Sequence, residues 1–182
     1  MKALASAFAG LSALSFALCV TAAIGAAQTT TAVSLAGGAT VPVGRLKDTQ
    51  STGAGGAIGL VVGSADAPFG LRIDAGYDKL RSKTVNAAEI RGSRIISGTA
   101  NLVFTFPGTL EKAYLLGGLG EYGMRSDSTG AKGSTRFGFD FGSGLSFPVA
   151  GRSGFLEARL QSISQNKAKP LRYLQLFLGL LL

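Results

Sequence analysis

Histidine and tryptophan are absent from the 182 residues, and the only cysteine is Cys19. Without an imidazole there is no Ser–His triad, no His–Asp pair and no His-based metal site. Cys19 lies in the N-terminal apolar stretch, so a thiolate or a disulfide disappears with that stretch if it is removed. Catalysis would have to rest on carboxylates alone, and these are scarce, with 10 Asp+Glu against 18 Lys+Arg and no acid before Asp48. An enzyme is therefore not expected, nor a cofactor or a metal centre. Beyond the N-terminus no apolar run is long enough for a membrane-spanning helix. The longest, LQLFLGLLL at 174–182, reaches about half of that requirement.

What is present begins with MKALASAFAGLSALSFALCVTAAIGAAQ. One lysine, a long apolar run and then small residues follow the order of a secretory signal. Cleavage is expected after Ala27, with Gly25 and Ala27 at the small-residue positions, leaving one domain over 28–182. Leu18 precedes Cys19 where a lipoprotein signal wants a small residue, so lipidation is not expected. Without Lys2 the 18 Lys+Arg become 17 against 10 acids, a net charge of +7.

The recurring pattern downstream has period two, which a strand converts into two different faces. In RFGFDFGSGLSFP (136–148), Phe137, Phe139, Phe141, Leu145 and Phe147 alternate with small or charged residues. Leu174, Leu176, Leu178, Leu180 and Leu182 oppose Tyr173, Gln175, Phe177 and Gly179. GFLEARLQSI, FGLRIDAGYD, YLLGGLGEYGM and IISGTANLVFTF alternate as well, and VSLAGGATV and GGAIGLVVG fit strands with a blurred parity. Eight strands of about ten residues result. Short connections with Pro or Gly, at 64–68, 107–112 and 148–153, suit tight turns. They alternate with longer polar connections at 44–53, 78–92, 125–135 and 164–170.

A soluble barrel wets its polar parity, whereas a membrane barrel turns it inward. Here that parity holds Gly76, Gly117, Gly123, Gly138, Gly142, Gly144 and Gly179, with isolated charges and no lysine at strand centres. A narrow eight-stranded bore has room for small residues and a few paired ions. Arg72, Asp74, Glu121, Arg136, Asp140, Glu157 and Arg159 form the expected interior charge network. Phe69, Phe106, Tyr114, Phe147 and Phe155 near the short turns, with Tyr77, Tyr122 and Tyr173 toward the long connections, are expected to make two aromatic girdles. The chain is thus read as an all-β, eight-stranded antiparallel up-and-down transmembrane β-barrel. A soluble lipocalin-like carrier is the alternative built from the same strands.

YLLGGLGEYG, FGFDFGSGLSFP and SGFLEARLQSI resemble the late strands of the small outer-membrane β-barrel family, of which OmpX and the barrel domain of OmpA are members, and the resemblance spans roughly 31–182. It implies residence in the bacterial outer membrane, contact with outer-membrane lipid, and insertion by the assembly machinery that reads the C-terminal strand. That family usually ends in an aromatic residue, whereas this chain ends in Leu182. Its enzymatic members, lipid A deacylases, palmitoyltransferases and proteases, lean on histidine, which this sequence lacks.

GLGEYG (118–123) matches a dinucleotide fingerprint in letters, but a polar loop and not a helix follows it, so these glycines are read as relief of crowding in a strand. Lys47, Lys79, Arg81, Lys83, Arg91, Arg94, Lys132, Lys167 and Lys169 are placed in basic outer loops, at the height of lipopolysaccharide phosphates. No aromatic stacking platform accompanies them, which argues against nucleic acid. The function expected is structural or surface interaction, with a narrow channel or small-ligand barrel as the alternative; the oligomeric state stays open. Intact-mass measurement of the protein recovered from membranes should give a chain that starts at Gln28, and retention of residues 1–27 would overturn the signal assignment.

Overall fold

The computed structural model describes residues 29–182 apart from 65–66, 86, 109–111, 128–129, 131–132 and 166–167. Ala27, Lys132 and Lys167 therefore lie outside the described residues. In chain order the strands are β1 (Thr29–Val43), β2 (Ser51–Ser64), β3 (Phe69–Arg81), β4 (Lys83–Val85), β5 (Ala88–Ile90), β6 (Ser93–Thr105), β7 (Lys112–Ser126), β8 (Ser134–Val149), β9 (Arg152–Gln165) and β10 (Ala168–Leu181). One short helix, α1 (Arg45–Thr49), links β1 to β2. β4 and β5 form a small hairpin, and the other eight strands close into a barrel in which β10 pairs with β1. Backbone bonds between Val33 and Leu182, 3.0 and 2.8 Å, extend the closing ladder to the last residue.

Closure sets the geometry. A line of register partners begun at Val33 runs round the wall through Leu60, Ile73, Ala100, Leu119, Phe139, Ser162 and Arg172, and meets β1 again at Val43. That offset of ten residues tilts the strands by roughly 40° and leaves a bore just wide enough for side chains. Tilted strands need about 9–11 residues to cross a bilayer. These have from 13 to 16.

The extra length corrects the expected loops. Outside the bilayer nothing demands apolar alternation, but backbone pairing continues, so strands outrun their sequence signal. Lys79, Arg81, Arg94 and Lys169 stand on strands, Lys83 on β4, Lys47 on α1, and Arg91 between β5 and β6. β9 reaches Gln165 and β10 begins at Ala168, both within the polar connection expected at 164–170. Neither α1 nor the β4–β5 hairpin was expected from periodicity.

The two faces are inverted relative to a soluble protein. Leu119 is 71% and Phe137 69% exposed on the outside, while Arg72 and Glu157 inside are 4% and 2% exposed. Phe139, Phe141, Leu102, Leu156 and Leu178 share the exposed face. Such a surface is stable against lipid and not against water, so the lipocalin-like carrier does not fit. No helix among the described residues is long and apolar enough to cross a membrane; the crossing elements are the strands.

β7 reverses the expected parity. Tyr114, Leu116 and Tyr122 point inward, while Gly117, Glu121 and Gly123 lie on the other face, with Glu121 exposed. Glu121 is therefore not part of the interior network. Either parity of YLLGGLGEYGM offers apolar groups and glycines, so periodicity alone could not choose. Space and hydrogen bonding decide: Tyr114 stands opposite Gly144, and both phenols reach interior acceptors. The girdles change accordingly, because Tyr114, Phe155, Tyr122 and Tyr173 are buried inside. Outside, Phe69, Phe104 and Phe106 cluster near the short turns, with ring centroids 5.1 and 5.0 Å apart, and Tyr77 stands exposed toward the other rim.

A Cβ on Gly144 would lie 2.3 Å from Tyr114 Cζ and 2.7 Å from the Leu156 carbonyl oxygen. On Gly117 its nearest neighbour would be Phe141 Cδ2 at 3.7 Å. Gly144→Val should lower the temperature at which the unboiled protein loses its fast gel mobility, and Gly117→Val should leave it unchanged. Equal effects would contradict the packing described.

Candidate functional site

The best-formed polar assembly is the ring inside the barrel. β3 carries Arg72 and Asp74 on its inward parity, and β9 carries Glu157 and Arg159. Arg72 Nε donates to Asp74 Oδ1 and its Nη1 to Glu157 Oε2, both at 2.8 Å. Arg159 Nη1 donates to Asp74 Oδ2 at 2.9 Å and Nη2 to Glu157 Oε1 at 2.7 Å. Two guanidinium groups and two carboxylates thus alternate in a closed cycle. Asp140 of β8 joins it from the side, 3.3 Å from Arg159 Nη1. Tyr114 donates to Glu157 Oε2 at 2.8 Å. Asn101, with its amide nitrogen turned to Asp140, donates to that carboxylate at 2.8 and 3.0 Å and accepts from Thr99 Oγ1 at 3.0 Å.

Of the seven residues assigned to this network from the sequence, five meet: Arg72, Asp74, Asp140, Glu157 and Arg159. Glu121 is outside, and Arg136, though on the inward parity of β8, joins no ion pair among the described residues. A second chain was missed. Asp78 accepts from Thr40 Oγ1 at 2.5 Å and from Gln175 Nε2 at 2.9 and 3.1 Å. Gln175 Oε1 accepts from Gln161 Nε2 at 2.9 Å, and Gln161 Oε1 accepts from the Tyr122 hydroxyl. The signal existed: Asp78 shares the parity of Arg72 and Asp74, and Gln161 that of Glu157 and Arg159.

Apolar clusters flank the polar layer at both ends. Leu80, Ile95, Tyr122, Ile163 and Tyr173 pack under Leu46 of α1 at the long-connection rim. Tyr114, Leu116, Phe155 and Phe177 pack at the short-turn rim. Arg72 lies over the Phe155 ring, 5.3 Å from its centroid, a contact that favours a desolvated cation. The carboxylates are neutralised by arginines, and no group of three His, Cys, Asp or Glu side chains is placed to hold a metal among the described residues. Chemically, the arrangement ties five strands together, β3, β6, β7, β8 and β9.

On the outer surface a different pattern forms at the long-connection rim. Lys79 of β3 is the register partner of Arg94 on β6, and Arg94 that of Arg125 on β7. All three are exposed. Arg94 Nε bonds Asp127 Oδ1 at 2.6 Å, an exposed pair. Arg125 was not among the loop cations picked from the sequence, since its place in this row depends on strand register.

The sequence matches no protein-family model and no curated protein. Solved structures do match. Neisserial surface protein A (NspA) is 18% identical, with 85% of this chain and 97% of that one covered at a TM-score of 0.64. The N-terminal β-barrel domain of Pseudomonas aeruginosa OprF is 14% identical, with coverages of 85% and 100% and a TM-score of 0.51. The Yersinia pestis outer membrane protein Ail in a phospholipid bilayer nanodisc is 14% identical, with coverages of 84% and 100% and a TM-score of 0.52; Ail has also been solved with the heparin analogue sucrose octasulfate. The chain has the fold of these small outer-membrane barrels.

Removing one member of a buried ion network leaves its partners uncompensated, at about 3–5 kcal/mol. Arg159→Leu should therefore lose most of the barrel's stability in urea titrations in detergent, whereas Arg125→Leu at the exposed rim should stay within about 0.5 kcal/mol of the parent. A mild effect of Arg159→Leu would show that the ring is not buried as described.

Proposed function

We propose that the protein is a non-enzymatic barrel of the bacterial outer membrane, of structural or surface-interaction type, whose long-connection rim faces outward and meets the phosphates of lipopolysaccharide. The observation that carries this reading is the lateral row Lys79–Arg94–Arg125. Like charges directly opposite on neighbouring strands repel, and Asp127 bonds one of the three. An external anion would relieve the rest. The row sits two positions beyond the exposed Tyr77 on β3 and Ile96 on β6, which is the height at which lipid chains give way to headgroups. Described cations at the opposite rim are Lys112 and Arg152, so the two rims differ in charge as well as in connection length.

The complex of Ail with a sulfated sugar favours an anionic ligand class for this rim. The narrow channel is the weaker reading, because the ion cycle and two apolar clusters occupy the bore. The absence of histidine argues against acid–base catalysis. The exposed alternation of Leu176, Leu178 and Leu180 on β10 supplies the apolar half of a C-terminal assembly signal, and assembly and export of residues 28–182 belong to the same proposal.

Each cation near an anionic membrane surface contributes about 1 kcal/mol. The variant Lys79→Gln/Arg94→Gln/Arg125→Gln should therefore bind lipopolysaccharide in nanodiscs about a hundredfold more weakly than the parent, with the difference shrinking in high salt. Undiminished binding would sink the lipopolysaccharide assignment, and steady single-channel conductance by the parent would favour the channel.

A further inference from the structure

At one corner of the long-connection rim the wall comes apart. β1 stays paired with β10 as far as Val43, opposite Arg172. Its ladder with β2 ends at Thr40 and Gly53. On the other side Ser51 is held by Arg81 of β3, after an irregularity between Ser51 and Ala54. The free ends of β1 and β2 therefore splay, and α1 bridges them.

The bridge is held in place. Leu46 packs into the upper apolar cluster. Gln50 Nε2 donates to the Arg91 carbonyl at 3.1 Å and Gln50 Oε1 accepts from Ser93 Oγ at 3.3 Å. Lys83 Nζ, reaching across from β4, donates to the Lys47 carbonyl at 2.5 Å. Beside the bridge the splayed seam forms an open cleft of about 750 Å³, with Lys47, Arg81 and Lys83 on its walls, Gln50, Ser51 and Thr52 between them, and the β1 end from Val41 to Val43 along one side.

The charge of this cleft is of one sign. Among the described residues no carboxylate lines it: Asp48, the neighbour of Lys47 on α1, is outside the lining. Among the described residues none of the three cations forms an ion pair. Three cations lining one open cleft favour a polyvalent anion, since each contact becomes a charge-assisted hydrogen bond. The volume falls in the range of small-molecule pockets and leaves room for a sugar beside the anionic group. The hydroxyls of Ser51 and Thr52 both donate and accept, which matches sugar hydroxyls. Anchoring of α1 preforms the cleft and spares the ordering cost of binding.

We infer that the seam between β1 and β2 is a binding site for a phosphate or sulfate ester carried on a saccharide, gripped by Lys47, Arg81 and Lys83. This rests on the reading of the rim as anion-facing, but it concerns a cleft distinct from the Lys79–Arg94–Arg125 row.

The test is calorimetric titration of the refolded barrel in zwitterionic detergent with two soluble probes. One is the glucosamine disaccharide bisphosphate of a lipid A headgroup without acyl chains; the other is a sulfated heparin disaccharide. At least one should bind saturably, and the tighter of the two identifies the source of the ester, membrane glycolipid or soluble glycan. Lys47→Gln/Arg81→Gln, which leaves the Lys83 bond to the Lys47 carbonyl in place, should weaken that binding at least tenfold while keeping the fast unboiled gel mobility. Lys112→Gln/Arg152→Gln at the opposite rim, with the same change in charge, should stay within twofold. The proposal is overturned if neither probe binds, if both variants weaken binding equally, or if inorganic phosphate binds as tightly as the sugar esters. Lipopolysaccharide nanodiscs separate the two readings. Loss of nanodisc binding in the Lys79→Gln/Arg94→Gln/Arg125→Gln variant, with saturable sugar binding retained, supports both; loss only in the Lys47/Arg81 variant overturns the row and keeps the cleft.

Discussion

Everything in this molecule depends on closing the backbone hydrogen-bond ladder. In hydrocarbon an unpaired amide or carbonyl has no water to turn to, so a sheet that enters a bilayer must leave no edge. β10 meets β1 for this reason, and the pairing runs to the final residue, where Leu182 and Val33 exchange bonds. Closure with a ten-residue offset then dictates the bore. A bore of that width is just wide enough for side chains to fill.

The filling is layered. Arginines and carboxylates occupy the middle, with aromatic and aliphatic side chains above and below. A buried ion is tolerable only with its counter-ions in place, which is why the cycle of Arg72, Asp74, Arg159 and Glu157 works as a unit spanning two sides of the barrel. Large rings fit because glycine stands opposite them. Tyr114 faces Gly144, and Phe155 faces Gly179, where a Cβ would come within 2.3 Å of the ring. These glycines are there for volume, and the same volume relation orients β7.

The rims are governed by different physics from the wall. Beyond the bilayer the strands continue because their backbones still pair, while side chains answer to water and headgroups. Cations therefore stand on rigid strand ends at fixed lateral spacing, as Lys79, Arg94 and Arg125 do, or around the β1–β2 seam.

Much of this was legible in the sequence, since lipid imposes a period-two rule on every strand that crosses it. The alternation of Phe137, Phe139 and Phe141 with Arg136, Gly138 and Asp140 determined strand, faces and membrane environment together. Arg72, Asp74, Glu157 and Arg159 could be assigned to the interior for the same reason. Where both parities were equally greasy, as around Glu121, the rule had nothing to act on, and the space opposite Tyr114 and Tyr122 decided. Register, too, belongs to the tertiary structure. Which cation stands beside which, how far each strand outruns the bilayer, and where the wall splays over α1 depend on how neighbouring strands align, and alignment is set by contacts between residues far apart in the chain.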